Sequence, residues 1–331
     1  MQQGVKQLEK TTSKDNKQKW INLLLVLDKY RVLLIFVALL IVASLLSDAF
    51  LTTSNLFNVF RQVSIIAIMS VGMTLVIITA GIDLSVGSVM AFSGAVLAGI
   101  IAAGIPLPIA IIACILVGIV LGIFNGFIVA KGKVPAFIAT LAVMVIARGM
   151  TLVFTQGNPI VVSDTSFRFI GAGTIFGVPF PIVLMIVIYI IMYWVLKHTT
   201  FGRYLYAIGG NEEASRLAGI SVDRVKIAVY ALAGFFASVS ALIYTSRLMS
   251  AQPNAGAGME LDAIAAVIIG GTRLSGGRGA VTGTLIGALI MGVLDNILNL
   301  TNVSPFYQDI AKGLVILAAV LIDSKLANLK K

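Results

Sequence analysis

Few residues of this 331-residue chain could do covalent or metal chemistry. His198 is its one histidine and Cys114 its one cysteine. That leaves no His cluster for a metal, no thiolate site, no disulfide and poor material for a Ser/His/Asp nucleophile. No G-x-x-x-x-G-K-[ST] loop occurs, so the chain lacks the usual cradle for ATP phosphates. The nearest glycine-rich run, Gly276-Gly277-Arg278-Gly279, reads as a bend. What remains is a set of polar residues placed within or beside apolar runs. Asp83 and Ser85 lie in AGIDLSVG, Glu260 and Asp262 flank a short apolar segment, and Asn125, Arg148, Asp295, Asn296 and Asn299 fall inside or at the ends of longer ones. Turning a charge toward lipid costs about 2.5–3.5 kcal/mol on insertion scales, so such groups face protein or a water-filled path. Capping and interhelical hydrogen bonding is the bland role for each. Asn125, Asp262, Asp295, Asn296 and Asn299 are the candidates for lining a path, whereas Asp83 reads as part of a structural inner turn.

A second constellation occupies the stretch Lys197–Lys226. Gly209-Gly210 is expected to turn the chain, and Asn211 is a good N-cap. Glu212 and Glu213 then fall in a first helical turn, where carboxylates suit the helix dipole. Gly219 stops the helix and Ser221 is placed to cap the next one. The expectation is a two-turn helix, small on one side (Ala214, Ser215) and charged on the other.

The elements that must hold these groups are membrane helices. The chain is 59% hydrophobic and 11% charged, with a mean hydropathy of +1.02. A soluble domain carries roughly 25% charged residues, so lipid is the matching solvent. Ten spans are expected, at residues 32–47, 62–80, 86–103, 109–130, 136–154, 181–196, 226–246, 262–271, 279–298 and 308–323. They form one transmembrane domain, 32–323, between cytoplasmic tails 1–31 and 324–331. The net charge of +10 does not indicate nucleic acid, because Lys and Arg cluster between apolar runs instead of along one face. Nineteen of the 24 fall on one side of this arrangement, which puts both termini in the cytoplasm. The other five are Arg61, Arg148, Arg168, Arg247 and Lys312.

Gly118, Gly122 and Gly126 share one helical face, as do Gly279, Gly283 and Gly287. Four-residue spacing lets a neighbouring backbone approach closely. An offset of 170 aligns Gly122 with Gly292 and Pro135 with Pro305, the pattern of a five-plus-five inverted repeat.

Four stretches resemble the ribose-type sugar permeases of ATP-binding-cassette importers: VGMTLVIITAGIDLSVGSVMAFSGAV (71–96), VAKGKVPAFIATLAVMVIARG (129–149), GRYLYAIGGNEEASRLAGISVDRVKI (202–227) and SAQPNAGAGMELDAIAAVIIGGTRLSGGRGAVTGTLIGALI (250–290). Glu213-Ala214-Ser215-x-x-x-Gly219 is similar to the Glu-Ala-Ala-x-x-x-Gly signature of importer permeases, with Ser215 in place of the second alanine and without the downstream Leu-Pro. The resemblance implies a bacterial inner-membrane homodimer. It implies that Gly209, Gly210, Asn211, Glu212, Glu213, Ala214, Ser215 and Gly219 couple to ATP-binding subunits, which use ATP and Mg; no cofactor is expected in this chain itself. It also implies an extracytoplasmic sugar-binding protein. Arg61 and Arg247, with Gln252 and Pro253, are the candidate docking surface for that protein, since positive-inside bias acts against outer arginines that lack another purpose. An ion-coupled secondary transporter of a small polar solute is the competing class, and it would need paired protonatable groups at mid-membrane. A membrane enzyme finds little chemistry here.

Overall fold

The computed structural model describes residues 32–329, with side chains through residue 321. The expected cytoplasmic tail 1–31 and the end of the C-terminal tail lie outside the described residues. The chain is helical almost throughout. An apolar helix α1 (Val32–Leu46) precedes α2 (Thr53–Ile78), α3 (Val86–Ala102), α4 (Leu107–Ala130) and α5 (Ala136–Thr155). Proline marks the starts of α4 and α5, where Pro106 and Pro135 occupy the cap with φ already fixed for helix entry. A connection follows with β1 (Ile160–Val161), α6 (Arg168–Ala172), β2 (Thr174–Ile175) and β3 (Val178–Pro179). Then come α7 (Phe180–His198), α8 (Thr200–Gly210), α9 (Glu212–Leu217), α10 (Val222–Leu248), β4 (Ser250–Ala251), α11 (Met259–Ile269), α12 (Val281–Leu300) and α13 (Pro305–Leu329).

Six of these, α2, α4, α5, α7, α10 and α12, are long and apolar enough to cross a membrane, and α1 and α3 are shorter apolar helices. α11 has 11 residues, about 16 Å at 1.5 Å per residue, half of a ~30 Å hydrocarbon layer. The expected spans match helices closely except at the last, where α13 runs six residues past the expected end at 323 and into the segment expected as a tail, and at the second. There α2 begins at Thr53, with the Thr52 hydroxyl accepting from the Asn55 N–H. Arg61 and Gln62 interrupt the apolar run in sequence but not the helix.

α2 is buried over most of its length, with α10 packed beside it, whereas α4, α5 and α7 turn apolar side chains outward. Val153 is 80% exposed and Trp194 59%, an arrangement suited to lipid. Helices in lipid associate by packing and not by apolar burial, and the glycine stripes provide it. Gly118, Gly122 and Gly126 lie against the backbone of α10 at Gly234, Tyr230–Ala231 and Ile227. Gly283 and Gly287 lie on the carbonyls of Gly270 and Ala266 in α11. Both contacts are inside one subunit. The helix bounds also follow the 170-residue offset: 53–78 shifts to 223–248, beside α10, and 107–130 shifts to 277–300, over α12.

Loops gather at two ends of the molecule. At one, Gly277 N donates to Ile78 O (2.9 Å), Tyr206 Oη donates to Gly279 O (2.9 Å) and Lys131 pairs with Asp223 (3.1 Å). At the other, β1 pairs antiparallel with β4, and Gly171 N donates to the Ser246 hydroxyl (2.8 Å). The first end holds the basic loops and the second the residues expected outside. α10 connects the two ends.

A side chain at Gly122 would meet the Tyr230 carbonyl and Ala231 Cα, whereas Gly149 has open space around it. Gly122→Leu is expected to lower the detergent-solubilised Tm by roughly 5 °C, from an overpacking cost of about 1–3 kcal/mol. Gly149→Ala should leave it within error. Equal thermal stability of the two variants would show that the α4–α10 contact is not tight.

Candidate coupling surface and polar path

The short helix α9 is built as its residues dictate. Asn211 is extended (φ −160, ψ 108), and its Oδ1 accepts from Ala214 N at 2.8 Å. Glu212 and Glu213 occupy the first turn. Ser215 forms the small inward face, buried, with its hydroxyl donating to Asn211 O (2.8 Å). Ile220 N donates to Ser215 O (3.1 Å) and Gly219 adopts φ +85, a closure that a residue with Cβ enters only with strain. Leu217 points outward, 86% exposed.

Charges clamp this helix to its surroundings. Glu212 pairs with Lys226 (2.5 Å) and Arg216 (3.5 Å), and Asp223 pairs with Arg216 (2.7 Å) and Lys131 (3.1 Å). The hydrogen bond and charge of Asp223 make the Arg216 guanidinium hold its proton more firmly than usual. Exposed pairs are weak singly, but these form one network joining α9, the start of α10 and the turn after α4. Glu213 makes no ion pair among the described residues. The network borders a cleft of ≈ 780 Å³ whose walls include Gly81, Lys133, Glu213 and Tyr230.

Two local expectations need correction. Gly209-Gly210 is not a turn but the end of α8, a helix of residues Thr200–Gly210 that the sequence did not suggest. Gly209 is required by proximity, since a Cβ there would strike Ile78 O and Gly277 N. Ser221 holds the N-cap position of α10 but its side chain makes no capping bond.

The candidate path residues separate into two kinds. Asn125 is fully buried and its Nδ2 donates to Ser85 Oγ (2.7 Å), which donates to Asp83 Oδ1 (2.6 Å). This chain ties α4 to the turn before α3, and leaves Asn125 Oδ1 buried without a partner among the described residues. Asn296 and Asn55 exchange two amide bonds (2.9 and 3.0 Å), joining α12 to α2. Asn299 accepts from Gln308 (3.1 Å). Asp262 and Asp295 converge on Lys312 at 3.3 and 3.1 Å, beside a cleft of ≈ 410 Å³ that Asp262, Asp309 and Lys312 line. The sequence reading missed Lys312 as their partner, although a lone lysine amid an apolar run is itself the signal of a paired charge.

At the opposite end Arg247 is exposed in the last turn of α10, and Arg61 is half-buried on α2. Arg168 opens α6 on the same side. Gln252 donates to Ser250 Oγ (3.1 Å), whereas Pro253 is buried and its carbonyl accepts from Arg148 (2.9 Å). Arg148 stands among the polar residues expected at membrane depth but not among the path or docking candidates.

Residues 55–320 match the family model described as branched-chain amino acid transport system / permease component. The chain is 51% identical to the ribose import permease protein RbsC of Haemophilus influenzae over 302 residues, 89% of this chain and 94% of that protein. It is 49% identical to RbsC of Bacillus subtilis over 319 residues (96% and 99%) and 39% identical to the L-arabinose transport system permease protein AraH of Escherichia coli over 296 (89% and 90%). No solved structure matches the chain. Long helices with outward apolar faces, and relatives aligned along nearly their whole length, lead to one conclusion: the chain belongs to this family of transport-system permease components and is a multi-pass protein of the bacterial inner membrane.

Proposed function

We propose that this chain is the membrane-spanning permease subunit of an ATP-driven monosaccharide importer, and that its solute is ribose. The observation that carries the reading is α9: capped by Asn211, closed by Gly219, clamped by ion pairs, and presenting Glu213 and Leu217 at the basic end. The solute rests on identity, 49–51% to ribose permeases against 39% to an arabinose permease. The family description names branched-chain amino acids, so membership alone does not give the solute.

In this reading ten helices (α1 to α5, α7 and α10 to α13) form a five-plus-five inverted repeat with both termini cytoplasmic. A second permease copy completes the path. ATP-binding subunits grip α9 and hydrolyse ATP with Mg, and this chain holds no cofactor of its own. Asp262, Asp295, Asn296, Asn299 and Asn125 stand along or behind the path. A soluble sugar-binding protein docks at the outer end through Arg61, Arg247 and Gln252, with Pro253 behind it. One observation favours the rival class: Lys312 with Asp262 and Asp295 is a protonatable cluster among helices. Uptake that survives a protonophore but stops without ATP excludes it.

The coupling reading is tested by Glu213→Lys and Gly219→Leu in proteoliposomes holding the ATP-binding and binding-protein partners. Uptake is expected to fall about tenfold or more, since the grip is lost at a site fixed by φ +85. Binding of the loaded sugar-binding protein should be unchanged. Normal uptake in both variants would remove α9 from the mechanism.

The docking reading is tested by the double variant Arg61→Glu, Arg247→Glu. Exposed pairs contribute about 0.2–1 kcal/mol each and are screened by salt. The apparent affinity for the loaded binding protein should therefore drop several-fold at low ionic strength and converge with wild type at high salt. Unchanged affinity at low salt would leave these arginines as headgroup anchors.

A further inference from the structure

The segment between β4 and α11 enters the membrane layer without being helical. Arg148 lies seven residues before the outer end of α5 at Thr155, about 10 Å along that helix. Its Nη1 donates to Pro253 O (2.9 Å) and Ala255 O (2.8 Å). Gly256 lies against the backbone of Gly87 with no room for a Cβ on either glycine. Gly87 is fifteen residues from the outer end of α3 at Ala102, about 22 Å along it. Residues 252–258 therefore dip well inward from the strand pair β1–β4, and α11 begins from that depth.

Irregular backbone at membrane depth is tolerated only inside protein or along a water-filled cavity. Here both conditions hold, on opposite sides of one segment. Pro253, Ala255 and Gly256 are buried, while Asn254, Ala257 and Gly258 are exposed. Two clefts flank the segment. One, of ≈ 540 Å³, includes Arg148, Gly157, Pro159 and Asn254, and opens toward the outer connection. The other, of ≈ 410 Å³, follows α13 past Asp309 and Lys312. Ala257 lines both, so the segment is the partition between them.

We propose that residues 252–258 are the constriction of the solute path, and that Arg148 is the latch that holds it closed. This rests on the permease reading. Gly256 (φ +70) and Gly258 (φ +82) supply backbone freedom on the mobile side of the latch. The chemistry of the latch fits a small neutral polyol. Nη1 makes both bonds, and the other guanidinium nitrogens make none among the described residues. A vicinal diol offers acceptors for the guanidinium and donors for the two carbonyls, so it can replace both halves of the latch without leaving a buried group unpaired.

The test uses the permease with its ATP-binding and binding-protein partners in proteoliposomes, with ribose as the probe. Wild type is measured first: absence of ATP-driven ribose uptake would overturn the permease reading and this proposal together. Given uptake, Arg148→Gln is expected to raise the ATP-independent leak of ribose about tenfold while a disaccharide stays retained, with Arg148→Lys intermediate. Asn254→Cys should react with a membrane-impermeant maleimide from the outer side. Ala257→Cys should react about tenfold faster when combined with Arg148→Gln than alone. Wild-type leak in Arg148→Gln, together with equal reactivity of Ala257→Cys in both backgrounds, would overturn the latch while leaving the permease reading intact. A leak that admits the disaccharide equally would mark a damaged fold instead of an opened constriction and would also overturn it.

Discussion

Close backbone approach between α4 and α10 is the constraint on which the rest of this molecule depends. In lipid, helices gain nothing by hiding apolar side chains from one another, so their association rests on packing distance and on polar groups that find partners. Gly118, Gly122 and Gly126 bring the backbone of α4 onto that of α10 along three turns. On its other side α10 lies against α2 and α3, where the Ser240 hydroxyl donates to Ile65 O (3.0 Å). The central position of α10 follows from these contacts.

That position gives α10 a mechanical meaning. Its first turn carries Asp223 and Lys226, the two residues that grip α9. Its last turn carries Ser246 and Arg247, and leads through β4 directly into the segment that Arg148 holds. In the proposed coupling, a tilt imposed at α9 would travel along one continuous helix of 27 residues to the opposite end of the protein. The glycine contact with α4 would be its fulcrum, because a close-packed interface resists smooth deformation.

Much of this architecture was legible in the sequence, because the punctuation is local. Pro106, Gly132 and Pro135 break the apolar runs around α4 and α5, and α3 to α5 fall within two residues of the expected spans. Asn211, Glu212 and Gly219 announce α9 by their own chemistry. The failures share a different cause. Gly209-Gly210 looks like a turn, but Gly209 exists for a neighbour, Ile78, that is distant in sequence. Arg61 interrupts hydrophobicity without interrupting α2. Lys312 joins partners 17 and 50 residues away on two other helices. Pro253 reads as an exposed loop residue until Arg148 claims its carbonyl. In each case a contact made by the tertiary fold outweighed the local pattern.

The polar groups at membrane depth follow a rule that the sequence could state only as a set of alternatives. Asn55 with Asn296, and Asn125 with Ser85 and Asp83, close on one another as short side-chain bonds between helices. Such bonds form in only one arrangement, so they fix it. Arg148 instead bonds carbonyls of a nonhelical segment, and Lys312 shares two carboxylates beside a cleft. A guanidinium on two carbonyls, or one ammonium between two carboxylates, can lose one partner and keep another, and water or a hydroxylated solute can take the vacated place. The welding bonds therefore join α2 to α10 and α12, and α4 to the turn before α3, and the exchangeable ones lie where α5, α11, α12 and α13 approach residues 252–258. A permease needs that division, because the part that holds its shape and the part that lets a solute pass cannot be the same bonds.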